Sequence, residues 1–449
     1  MRLLLKHGLL VMGHESFYGD VFIENGVIEE INSSISRVSD KEISCEGKFI
    51  LPGMIDTHVH FRDPGFTQKG DALTESVAAI SGGVTTICDM PNTKPQTTTV
   101  DLVLEKQVLY ANKCLCNFGI YIGATKTNLD ELKKADELDT IPAIKVFMAE
   151  STGEMTLADD GYLSEIFSNT KKLIATHAES EARRLLRMGL FSEGKLPGAE
   201  HILFDDPYQH VLVRDNEVAA LGSKHAVELS LKYKRKMHIL HVSAKEELAY
   251  IEQGIQAGFV TAETCPHYLW FTREDVRSHG MYRIMNPSLK GEEDREALWD
   301  ALRSGVISQI ATDHAPHLPV EKDLPYGQAP AGLPGVEFAL PLLLHAVSEG
   351  KLSLPQVVRL CCEHPAMNYG ILHKGFLEEG YDADLVIIDP NVSLEITRES
   401  IRSKCGWSPY EGMTLKGGVV EKTIVNGELV FDNGTMVSAA KGKSIQVVI

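Results

Sequence analysis

Phe49-Ile50-Leu51-Pro52-Gly53-Met54-Ile55-Asp56-Thr57-His58-Val59-His60-Phe61-Arg62-Asp63-Pro64 is the stretch from which the rest of the chain can be read. The apolar run from Phe49 to Ile55 predicts a buried strand. Side chains alternate along a strand, so His58 and His60 point to the same side at its end. Two imidazoles side by side suit a metal ion. A His-x-His pair also occurs on ordinary half-exposed strands, so its meaning depends on what else the chain brings to the same place.

Outward from this stretch the chain alternates. Short β-branched or apolar runs lie near 49–60, 84–90, 117–124, 142–148, 172–177, 236–242, 259–265 and 307–312, with helical patterns between them. One such pattern runs from Asn216 to Tyr233, where Ala219, Ala220, Leu221, Val227, Leu229 and Leu231 recur on common faces. Eight βα repeats predict an α/β fold, a (β/α)8 TIM-type barrel over 49–370. An open parallel sheet would alternate in the same way. The two ends read differently. Val21-Phe22-Ile23-Glu24-Asn25-Gly26-Val27-Ile28 and Thr423-Ile424-Val425-Asn426-Gly427-Glu428-Leu429-Val430-Phe431 are both hairpin patterns, and Asn433-Gly434 follows the second. Residues 1–48 and 371–449 are therefore expected to build one small β-sandwich domain, each end covering edges the other leaves open.

Composition narrows the class. A chain of 449 residues accommodates a large barrel and an appended domain, and a hydrophobic fraction of 43% supports a sizeable core. The net charge of −18, from 62 acidic and 44 basic residues, argues against binding nucleic acid or an anionic membrane through bulk electrostatics. Cys45, Cys88, Cys114, Cys116, Cys265, Cys361, Cys362 and Cys405 are scattered, without a CxxC pair, as expected of reduced thiols. The first residues lack the pattern of a signal peptide, and no uncharged apolar run is long enough to cross a bilayer. A soluble, cytoplasmic protein is expected. The segment from Leu318 to Gly332, rich in Pro, Gly and charge, predicts a disordered loop or a mobile lid.

Polar residues collect at one end of the predicted strands. After the first come His58, His60 and Arg62, and after the second Met90-Pro91-Asn92-Thr93. Lys145 interrupts the apolar fourth strand. The fifth ends in His177-Ala178-Glu179, the sixth in His241, and the eighth in Asp313-His314-Ala315-Pro316-His317. The carboxyl ends of barrel strands form the active-site face. Singly, His177 or His241 reads as a core histidine, Asp313 as a helix cap and Lys145 as a snorkelling lysine. Together they read as a metal site. Four histidines and a carboxylate suit zinc, and they are too many for one tetrahedral catalytic ion. Two Zn2+ bridged by hydroxide fit better. A lysine buried beside two cations could not remain an ammonium, and a carbamate formed with CO2 would make it a bridging anion.

The motifs Asp56 to Gly65, Met90-Pro91-Asn92-Thr93-Lys94-Pro95, His241-Val242-Ser243, Asn286-Pro287-Ser288-Leu289-Lys290, Ala311 to His317 and Lys404-Cys405-Gly406-Trp407-Ser408-Pro409-Tyr410 carry a resemblance over nearly the whole chain. The sequence resembles the dihydroorotases of the amidohydrolase superfamily. That resemblance implies reversible cyclisation of N-carbamoyl-L-aspartate to L-dihydroorotate in pyrimidine biosynthesis. It implies one metal on His58 and His60, a second on His177 and His241, Asp313 completing the first shell, and carboxylated Lys145 as the bridge. Asp313 would be the general acid and base of a dinuclear metal-hydroxide mechanism. Arg62, Asn92 and His317 would hold the substrate carboxylate, and Asn286 the amide edge of the ring. Hydantoinase-like relatives lack the arginine after the histidine pair, and allantoinases usually lack the Pro-Asn-Thr run. The chain departs from the family at Asp63, where glutamate is usual. It also carries Asp159-Asp160-Gly161, from which Asp160 is an alternative bridge. Two other functions stay open: another cyclic amidase (hydantoinase or allantoinase), and a non-catalytic dihydroorotase-like partner of an aspartate transcarbamoylase. A homodimer is expected by analogy with the family.

Overall fold

A computed structural model of the chain describes residues 1–150 and 155–448. Eight parallel strands form the barrel: Met54–Val59, Val84–Asp89, Asn117–Ile120 continued by Ile122–Gly123, Ile144–Phe147, Ile174–His177, Met237–Ile239, Val260–Thr264 and Gln309–Ile310. Each pairs with the next in chain order, and Tyr121 interrupts the third. The ends close through a parallel bridge between Val59 and His314, where the His60 N–H donates to the His314 carbonyl at 2.7 Å. The last residues of the first and eighth strands are thus stitched together, which holds His58 and His60 against Asp313.

The Asn216–Tyr233 helix forms over the predicted range, with Asp215 capping its start by accepting from the Val218 N–H. Its buried face is not the predicted one throughout. Leu221 is 37% exposed, whereas Gly222 and Ser223 face inward. A Cβ at Gly222 would lie 2.4 Å from the Ala178 carbonyl oxygen. Close approach of this helix to the end of the fifth strand, and so to His177, therefore needs the glycine.

The terminal strands form one mixed sheet of nine: Arg2–Val11, Ser16–Glu24, Val27–Asn32, Lys41–Ser44, Phe49–Pro52, Leu385–Asp389, Val419–Val425, Glu428–Asp432 and Thr435–Met436. Leu5, Leu10, Val21, Ile23, Ile50, Leu385, Ile387 and Ile424 pack in one core cluster apart from that of the barrel. The Asn-Gly pairs make the turns. Asn25 and Gly26 (φ 53° and 90°), Asn426 and Gly427 (49° and 78°), and Asn433 and Gly434 (47° and 82°) all take the left-handed backbone that tight hairpins require.

Two features differ from expectation. The run Phe49 to Ile55 is not one strand. Phe49–Pro52 lies between Arg2–Val11 and Leu385–Asp389 in the terminal sheet, and the barrel strand begins at Met54. Gly53 makes the junction because a Cβ there would sit 2.1 Å from the Thr85 hydroxyl. The segment from Leu318 to Gly332 is not featureless. It opens with a short helix, Pro319–Lys322, and Lys322 is buried with Nζ donating to the carbonyls of Pro330 (2.9 Å) and Gly332 (3.2 Å). A buried lysine nitrogen donating to backbone carbonyls ties the start of the segment to its end. All eight cysteines are free and buried. Among the described residues, no helix is long and apolar enough to cross a membrane.

Candidate metal and substrate site

The carboxyl ends of the strands gather the histidines. Asp313 Oδ1 lies 3.2 Å from His58 Nε2 and 3.0 Å from His60 Nε2, and these three side chains could hold one metal ion. His241 brings its ring centroid to 5.3 Å from that of His58, and its Nε2 lies 2.9 Å from Nδ1 of His177. Three of the inward-facing nitrogens have a reason to be lone-paired, because the opposite nitrogen of each of those rings meets an acceptor. His58 Nδ1 faces Glu263 at 2.7 Å, His60 Nδ1 faces Asn92 Oδ1 at 2.6 Å, and His177 Nε2 faces Glu179 at 2.9 Å. A carboxylate or amide oxygen behind an imidazole fixes the tautomer that a metal needs. Burial lowers the proton affinity of all four imidazoles, which keeps them neutral and able to ligate.

Asp313 is the anion of the group. Burial opposes its ionisation, and its Oδ1 faces His60 Nε2 at 3.0 Å, where a cation held between them would keep the carboxylate ionised. Lys145 is fully buried, and its Nζ has no hydrogen-bond partner among the described residues. Burial drives its pKa down to about 7. A lysine that burial keeps from holding its proton can take up CO2 as a free amine, so its chemistry fits a carbamate beside metal-type ligands. Asp160 is exposed at the first position of the helix Asp160–Asn169, with His225 3.3 Å away.

The substrate-type residues fall into two groups. Arg62 is buried, with Nε donating to the Pro316 carbonyl at 3.1 Å and Nη2 lying 2.9 Å from His317 Nε2. Asp89 accepts the Phe61 N–H at 2.7 Å and fixes the start of this loop. Asp63, the departure from the family pattern, accepts from the Ala72 N–H and pairs with Lys113. Asn286 lines a cavity of about 430 Å³ with His210, Arg214, Tyr326 and Ala331, whose lining does not include Arg62, Asn92 or His317, and its buried Oδ1 has no partner among the described residues. Arg62 (φ 67°), His241 (41°) and Asp313 (48°) all adopt left-handed backbone. Each costs on the order of 1–3 kcal/mol, strain of the kind that concentrates at functional sites.

Several residues escaped the sequence reading. Glu263, on the seventh strand, backs His58 and also contacts His238 and Gln309. Glu179 backs His177 and is gripped by Arg214. His267 follows the seventh strand, buried, with Nε2 unpartnered among the described residues. For Glu263 the available signal was the one used for Lys145, a charged residue inside a barrel strand.

A match to the amidohydrolase family covers residues 49–187 and 217–430, and the chain belongs to that family. It is 37% identical to the dihydroorotase of Methanosarcina acetivorans over 92% of this chain and 88% of that protein. It is 34% identical to the dihydroorotase of Halobacterium salinarum over 95% and 99%. Among solved structures, the L-hydantoinase (dihydropyrimidinase) of Arthrobacter aurescens superposes with a TM-score of 0.92 at 30% identity, covering 99% of each chain.

Proposed function

We propose that the chain is a cytoplasmic dihydroorotase, interconverting N-carbamoyl-L-aspartate and L-dihydroorotate. One contact supports this above the rest: Arg62 Nη2 lies 2.9 Å from His317 Nε2, two residues beyond the metal-type ligand His60. A guanidinium there offers a ring carboxylate paired, charge-assisted hydrogen bonds. A hydantoin has no such carboxylate. The hydantoinase alternative draws support from the A. aurescens fold, and Arg62 separates the two.

His58, His60 and Asp313 would hold one zinc ion and His177 and His241 a second, with carboxylated Lys145 between them. Such a pair supplies Lewis acidity at the ring carbonyl and a water ionised near neutral pH. The residues of the chain do the rest. Asp313 moves the proton. In ring opening its carboxylate accepts the proton of the attacking water and passes it to the departing ring nitrogen. In ring closure it removes a proton from the ureido nitrogen as that nitrogen attacks the side-chain carboxylate, and delivers it to the carboxylate oxygen, which breaks from the carbon and, with one more proton from solvent, leaves as water. Arg62, with Asn92 and His317, holds the carboxylate that does not react, so the reacting one is directed to the metal-type ligands. Asn286 would meet the amide edge of the ring.

Direct assay of purified protein tests this. Turnover of carbamoyl aspartate and dihydroorotate is expected, with little of hydantoin or allantoin. The reverse preference would refute it. Association as a homodimer or with an aspartate transcarbamoylase follows from the same family resemblance, and sizing the protein alone and with the transcarbamoylase tests both.

A further inference from the structure

One imidazole beside the candidate site meets two cations. Nζ of Lys69 lies 3.1 Å from Nδ1 of His317, while Nη2 of Arg62 lies 2.9 Å from its Nε2. The Ala331 carbonyl oxygen stands 3.1 Å from the same Nε2. Ammonium and guanidinium groups only donate, and a neutral imidazole accepts at one nitrogen. Burial, reinforced by the charges of Arg62 and Lys69, keeps the ring from taking a second proton. The Ala331 oxygen can only accept, so Nε2 carries the hydrogen and Nδ1 accepts from Lys69. Arg62 then aims an N–H at a nitrogen that cannot take it. The Nε2 hydrogen is spent on Ala331, so the Arg62 N–H is the donor left for an anion.

Lys69 is built into this arrangement. It pairs with Glu321 at 2.6 Å, and its side chain is 12% exposed. The main chain of His317 is held separately, because the Trp407 indole N–H donates to the His317 carbonyl at 2.7 Å. Trp407 therefore anchors the backbone and Lys69 sets the ring.

We propose that Lys69 is a positioning residue for recognition of the substrate carboxylate: by donating to His317 Nδ1 it selects the tautomer whose Nε2–H goes to the Ala331 carbonyl, so that Nε2 cannot accept from Arg62 and the guanidinium N–H is left for the anion. This rests on the dihydroorotase reading for the identity of that anion, but the tautomer can be tested without it.

The experiment uses the metal-loaded full chain. Nitrogen-15 NMR of the imidazoles, with His317 assigned by difference from His317→Asn, is expected to show the Nε2–H tautomer; an Nδ1–H ring overturns the proposal. Lys69→Met is expected to raise the KM for dihydroorotate and the inhibition constant of orotate about tenfold, the scale of one charge-assisted hydrogen bond. It should leave kcat within about threefold and bound metal unchanged, and Lys69→Arg should restore most of the loss. Unaltered KM and inhibition constant in Lys69→Met overturn it. A wild-type protein that turns over no dihydroorotate rejects the substrate assignment and leaves the tautomer result standing by itself.

Discussion

Glu263 Oε1 lies 2.7 Å from Nδ1 of His58, both residues being buried at the ends of neighbouring parts of the barrel. The pair orients the ring so that Nε2 faces Asp313 at 3.2 Å. Glu263→Gln keeps the shape but weakens the acceptor behind the ligand. Metal affinity is expected to fall about 10- to 100-fold, read by competition with a chromophoric chelator. Unchanged affinity would mean that Glu263 serves only His238 and Gln309.

Arg62→Ala should lower kcat/KM for carbamoyl aspartate by roughly 100-fold or more, the loss of a paired charge-assisted contact. Arg62→Lys should recover little, because an ammonium cannot reproduce the fork. Steady-state kinetics in both directions measure this. Wild-type turnover in Arg62→Ala would remove the distinction from hydantoinases.

Dialysis against a strong chelator should abolish turnover, and zinc should restore it. Lys145→Met should bind less metal than the wild type even at saturating zinc, because the bridging anion is gone. Elemental analysis of protein separated from free zinc decides, and full metal content in that variant would exclude Lys145 as a bridge.

Glu337 supplies a pH prediction away from the site. It is 7% exposed and accepts from the Arg402 and Ser403 N–H groups, yet burial raises its pKa from 4.5 to about 7. The folded chain therefore holds a proton that the unfolded chain has released. Between those two values stability falls as pH rises, by up to about 3 kcal/mol, and the penalty is complete above the folded value. In Glu337→Gln this slope should be absent. Denaturant titrations at intervals from pH 4.5 to 8 compare the two, and parallel curves would count against a shifted Glu337.

Much of the architecture was legible because it depends on local chemistry. Asn25-Gly26 and Asn426-Gly427 specify hairpins through backbone preference alone, and the eight apolar runs follow the period of alternating strands and helices. His58 and His60 could be paired because the strand period is two. What stayed hidden depends on long-range contact. The break at Gly53 comes from Thr85, thirty-two positions away, and no hydrophobic pattern announces it. Leu318 to Gly332 reads as mobile from composition, but Lys322 is enclosed by carbonyls from its own segment. Glu263 inside Val260-Thr261-Ala262-Glu263-Thr264 is one polar residue among several until the fold sets it behind His58. The left-handed backbone of Asp313 and His241 has no glycine to signal it.

The single residue between Phe49–Pro52 and Met54–Val59 makes the terminal sheet a gauge for the histidine pair. Phe49–Pro52 is locked on both sides by register with Arg2–Val11 and Leu385–Asp389. The phase of the next strand is inherited from it across one hinge. A slip of one position would turn every side chain to the opposite face, carrying His58 and His60 away from Asp313 together. The strands farthest from the chemistry therefore decide which way the imidazoles look.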